Sequence, residues 1–87
     1  MKTVTVDTTA GGVAIVAAGP PRNRLILCNV SAGTVFLKVD GSATALATTN
    51  GLPLLQNVPM NLSGLGITAV AGIVAAATSD VRVAFED

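Results

Sequence analysis

The chain has no His, Trp or Tyr, one Cys and two Phe, and each gap closes a class of function. Nucleophilic catalysis by Ser or Cys needs an activating base within hydrogen-bond reach, most often His, and none is present. A zinc site needs a cluster of Cys and His, which Cys28 alone cannot supply, and one Cys forms no intrachain disulfide. Single-strand binders need aromatic platforms and phosphate-binding surfaces need clustered Lys and Arg. This chain offers only Phe36 and Phe85, and balances five basic residues against five acidic ones. Sugar recognition usually stacks aromatic rings, so the missing Trp and Tyr weigh against it too. These absences predict a protein that is not an enzyme, holds no cofactor or metal and does not bind nucleic acid.

The carboxylates do not reopen the case for catalysis. Asp7, Asp40 and Asp80 each fall at a predicted turn, where Asp bonds its own backbone, and Glu86 and Asp87 end the chain. A sugar-cleaving pair would still lack polar or aromatic residues to line its pocket. The uncharged stretch 62–78, LSGLGITAVAGIVAAAT, is 17 residues long but holds three Gly, five Ala and two Thr. A spanning helix wants roughly 20 strongly apolar residues with interfacial anchors, so buried strands are predicted here and no membrane contact. The start, MKTVTVDTTAGG, alternates Thr with Val and carries Asp7 instead of a continuous apolar run. With the lone Cys, this predicts synthesis and assembly in a reducing cytoplasm.

What remains is short β-branched runs between turn signals, within a chain that is 51% apolar and mostly Val, Ala and Leu. The turn chemistry is Thr9-Ala10-Gly11-Gly12, Gly19-Pro20-Pro21, Ser31-Ala32-Gly33, Asp40-Gly41-Ser42, Asn50-Gly51 and Thr78-Ser79-Asp80. That spacing predicts one all-β domain over residues 1–87, a small antiparallel β-sandwich or partly open barrel of about seven to eight short strands. Residues 1–8 are either an edge strand or an arm that reaches a neighbouring copy.

Val4 and Val6 share a face, as do Val13, Ile15 and Ala17. The run from Leu25 to Cys28 shows no alternation and is predicted to be a central strand covered on both faces. It is expected to pair as a hairpin with residues 34–39, where Val35, Leu37 and Val39 alternate with Phe36 and Lys38. Pro53 and Pro59 confine residues 43–63 to short edge strands, around 45–48 and 52–55. Leu65, Ile67, Ala69 and Ala71 are expected on one face, and residues 73–77 either continue that strand or form a loop. Val81, Val83 and Phe85 are expected on one face of the last strand.

A chain this short buries only roughly 60–65% of the surface its unfolded form exposes, and its side chains are small. Without disulfide or metal, association is the remaining source of stability, and an apolar surface would serve it. Cys28 is expected to be a small buried hydrophobe. Gly64-Leu65-Gly66 has no following helix or Lys and reads as a turn or bulge. Asn29-Val30-Ser31 and Asn61-Leu62-Ser63 match the glycosylation pattern, which is common by chance. Arg22 and Arg24, two apart, are expected to project from one face at the start of the central strand. They serve there either as a solvated strand end or as an anchor for carboxylates of a neighbouring subunit.

Asn23, Arg24, Leu27, Asn29 and Ser31, then Val35 and Leu37, then Asn50, Gly51 and Leu54, and finally Val81, Arg82, Val83 and Glu86 form one pattern. It resembles the small β-sandwich structural proteins of tailed bacteriophages over about three quarters of the chain. The resemblance implies a virion location after assembly in a host cytoplasm. It implies a capsid decoration or cement role, with the major capsid protein or other virion subunits as partners and a homo-oligomer as the working form. A tail- or fibre-associated module that recognises a carbohydrate or receptor is the alternative it leaves open.

Overall fold

The computed structural model describes residues 2–39 and 51–86, and every regular element among them is a strand. In chain order these are β1 (Lys2–Val6), β2 (Val13–Val16), β3 (Leu25–Asn29), β4 (Val35–Lys38), β5 (Leu52–Leu54), β6 (Met60–Asn61), β7 (Val70–Ile73) and β8 (Ser79–Glu86). They form two packed four-stranded antiparallel sheets, ordered β1-β8-β3-β6 and β2-β7-β4-β5, so the expected small β-sandwich is the fold.

Every connection except β4 to β5 changes sheet, and this corrects the hairpin expectation. β3 pairs with β6 and β8, whereas β4 pairs with β5 and β7. The Ser31-Ala32-Gly33 turn therefore carries the chain across the core. β3 is central, as expected, but alternates: Leu25, Leu27 and Asn29 are buried while Ile26 and Cys28 are half-buried on the outer face. Cys28 is accordingly not enclosed. Residues 52–54 form the expected edge strand; the strand expected around 45–48 lies outside the described residues.

Two bulges shift the inward-facing sets. Between Ala14 and Val16 the pairing with β7 slips by one residue, so Ile15 and Val16 are both buried and Ala17 is exposed. Between Ile26 and Leu27 the register against β8 also slips, which makes Ala84 the extra residue and pairs Ile26 with Phe85. Phe85 thereby leaves the face of Val81 and Val83 and is 43% exposed. The 65–71 expectation fails in phase. Leu65 is 65% exposed, and β7 buries Val70, Gly72 and Ile73 in place of the Ala69 and Ala71 face.

The inner faces bring Val6, Leu25, Leu27, Val81 and Val83 against Ile15, Val35, Leu37, Leu54 and Val70. Gly72 is enclosed by side chains of its own sheet, Ile15 and Val35, and by Val6 of the facing sheet. A Cβ there would stand 2.7 Å from Ile15 Cδ1, 3.0 Å from Val35 Cγ1 and 3.4 Å from Val6 Cγ2, so hydrogen is the only side chain that fits without displacement.

Gly72→Ala is expected to destabilise by about 1–3 kcal/mol through overpacking. Ile15→Val, which removes the nearest methyl, should cost less in the Gly72→Ala background than alone. Urea denaturation of the single and double variants measures this coupling, and strict additivity would contradict it.

Candidate interaction surface

The two arginines singled out in the sequence end up in different environments, because β3 starts only at Leu25 and Arg22 lies in the loop before it. The Arg22 main chain pairs with Ile67, its N–H donating to the Ile67 carbonyl at 3.0 Å. Its guanidinium donates to the carbonyls of Thr68 (2.6 Å), Pro20 (2.9 Å) and Ala17 (2.9 Å). It thus ties the loop before β3 to the segment before β7. Arg24 is exposed, with its guanidinium carbon 4.8 Å from the centre of the Phe85 ring, a cation–π distance. The β8 bulge makes that pairing possible by turning Phe85 outward beside Ile26.

Sequence reasoning missed the role of the two Asn-x-Ser tripeptides, which form the same device twice. In the first, Asn29 Oδ1 accepts from the Ser31 N–H at 3.0 Å, and the Val30 N–H donates to the Asp80 carbonyl at 3.0 Å. The Ser31 hydroxyl then accepts the Asp80 N–H at 3.0 Å. In the second, Asn61 Oδ1 accepts from the Ser63 N–H at 2.9 Å, and the Leu62 N–H donates to the Leu25 carbonyl at 2.7 Å. The Ser63 hydroxyl accepts the Leu25 N–H at 3.1 Å. Each tripeptide thus holds both backbone groups of one residue on a neighbouring strand, after the strand itself has ended. The available signal was an Asn two residues before a Ser at a strand exit, where an Asx turn is favoured.

Asn29 does more than its counterpart because it is fully buried. Its Nδ2 donates to the carbonyls of Gly33 and Leu54, and its own carbonyl accepts the Asn57 N–H at 2.7 Å. One residue of the β1-β8-β3-β6 sheet therefore positions β5 of the other sheet through its side chain and the turn beyond it through its main chain. Asn57 stands at φ 59° in the third position of the turn closed by the Val58 N–H on the Leu55 carbonyl, a place that favours Gly or Asn.

That turn and the start of β5 project apolar side chains into water. Leu52 is 49%, Leu55 54% and Val58 54% exposed, all on the margin where β5 and β6 are the outermost strands. On the outer face of the other sheet, a shallow trough of about 280 Å³ is floored by Ala14, Ala18, Ala69 and Ala71 with Lys38 at its side. Neither surface carries reactive groups. Among the described residues no three of His, Cys, Asp and Glu gather as a metal site, and no helix is long and apolar enough to cross a membrane. Ser79 Oγ is buried with no hydrogen-bond partner among the described residues, but no His exists to activate it. The Asp7 carboxyl is held below its ordinary pKa by the Thr9 hydroxyl and then by the Thr9 N–H, which ends on Oδ1 at 2.9 Å. It organises a turn.

Asn29→Ala is expected to cost about 2–4 kcal/mol, since the buried Leu54 carbonyl, the part-buried Gly33 carbonyl and the Ser31 N–H lose their partner, whereas exposed Asn61→Ala should cost about 0.5–1 kcal/mol. Chemical denaturation of the pair checks the ordering. Arg22→Ala is expected to destabilise by about 1.5–3 kcal/mol and Arg24→Ala by about 0.5–1 kcal/mol. Equal losses in the two arginine variants would contradict their separate placement.

No family model, curated protein or solved structure matches the chain.

Proposed function

We propose that this chain is a non-enzymatic structural protein of a tailed-phage virion, a decoration protein that docks on the capsid as a homo-oligomer and stabilises it. The observation that carries the reading is the apolar margin of Leu52, Leu55 and Val58, held in place by buried Asn29 and left half in water. A rigid margin of this kind loses little conformational entropy on docking, so most of its apolar burial survives as binding free energy. The resemblance of the strand-and-turn pattern to that of phage β-sandwich proteins supports the choice of partner. Arg24, exposed above Phe85, supplies the cation for a carboxylate on the capsid subunit, while Arg22 serves the fold.

Purified particles of the parent virus are expected to carry this chain in a fixed copy number per capsid; particles without it would overturn the reading. Completing the burial of Leu52, Leu55 and Val58 contributes about 1 kcal/mol each. Replacing all three with Asp should therefore weaken binding to undecorated heads by about a hundredfold. The far-UV circular dichroism spectrum should not change. Undiminished binding of that variant would move the contact to another face.

A further inference from the structure

Exposed sheet edges recruit further strands unless something blunts them, and the four edges of this sandwich differ. β5 carries Pro53 at its centre, β6 is two residues long and follows Pro59, and β2 is broken by its bulge. β1 has none of these protections. It is a five-residue strand of alternating Thr and Val after Lys2, paired with β8 at all five positions without irregularity. Among the described residues no strand lies on its other side.

We propose that β1 is the self-association edge. Two copies pair through β1, antiparallel, about a two-fold axis at Val4, and their four-stranded sheets join into one continuous sheet. This rests on the reading of the chain as a homo-oligomer and specifies the surface and symmetry. A second copy is the occupant because the strand is complementary to itself. Centring on Val4 sets Thr3 opposite the partner's Thr5 and keeps Val4 and Val6 on the inner face in both copies, as a period of two requires. Thr–Thr cross-strand pairs are favourable. Lys2 begins the strand and Asp7 follows its end, so antiparallel pairing, which sets Lys2 opposite the partner's Val6, keeps like charges at opposite ends of the interface, whereas in-register parallel pairing would set them together. A two-fold interface of this kind is isologous and closes on itself, which protects the edge from open-ended growth. β1 and the Leu52–Leu55–Val58 margin belong to opposite ends of the strand orders, so pairing leaves the docking surface free.

The test uses the full chain in three forms: native, a Thr3→Lys/Thr5→Lys variant and a Thr3→Glu/Thr5→Glu variant. Positions 3 and 5 are exposed and face Arg82 and Asp80 on β8, so each variant gains one favourable and one unfavourable neighbour within its own chain. Circular dichroism confirms that both fold. In sedimentation equilibrium the native chain should have twice the single-chain mass of 8.6 kDa, or an even multiple of it. Each variant alone should lose that pairing, because like charges meet across the two-fold, and an equimolar mixture should recover it. If the native oligomer persists in both variants, the β1 interface is wrong and the oligomer reading stands. If the native chain sediments at single mass at every concentration, both are overturned.

Discussion

The fold depends on hydrogen bonds that continue a strand ladder after the strand has ended. At two exits of one sheet an Asn-x-Ser tripeptide turns the chain away while the middle N–H and the Ser hydroxyl keep hold of a residue on the next strand. Asp80 is held in this way by 29–31 and Leu25 by 61–63, so β3 is pinned to β6 at its start and to β8 at its end. Asp80 also accepts the Thr5 hydroxyl through its carboxylate at 2.8 Å, which brings β1 into the same node. Strands of two to five residues have few ladder bonds with which to define register, so two clamps on a single central strand carry unusual weight. Asn29 extends the effect to the second sheet because its buried amide has two carbonyls to satisfy there, Gly33 and Leu54.

How much of this was legible follows from which forces are local. Alternation of β-branched residues revealed β1, β4 and the first half of β8, because Val4, Val6, Val35, Leu37, Val81 and Val83 bury on the period their spacing dictates. The sandwich and the β5 edge followed from turn spacing and Pro53. The pairing partner of β3 was not legible, since neighbours in sequence usually pair, whereas here every connection except β4 to β5 changes sheet. Ala17 and Phe85 were misassigned for one shared reason: each follows a bulge, and a single extra residue reverses every later side chain. The candidate contact was half legible. Arg24 lies on the surface, but Arg22 was unreadable because its partners are carbonyls of Ala17, Pro20 and Thr68, groups that every residue possesses. Leu52, Leu55 and Val58 stood out only once β5 and the turn that follows it were in place.

An apolar composition in so small a chain has two outlets, core and contact. The core takes the small aliphatics packed around Gly72. The surplus is unevenly placed: one margin presents Leu and Val to solvent, one outer face is paved with Ala, and one edge strand has none of the blunting that marks the other three. The proposed decoration role needs this division, because such a protein must hold a shell on one side and its own copies on another without the two contacts competing.

Native-state hydrogen exchange of the Leu25 and Asp80 amides tests the clamp account most directly, measured in the native chain and in Ser31→Ala and Ser63→Ala. Both amides should exchange as slowly as the central β3–β8 ladder in the native chain. Asp80 alone should become fast when Ser31 is changed, and Leu25 alone when Ser63 is changed. Equally slow exchange of both amides in both variants would show that the serine hydroxyls do not hold the strands, and would contradict the account.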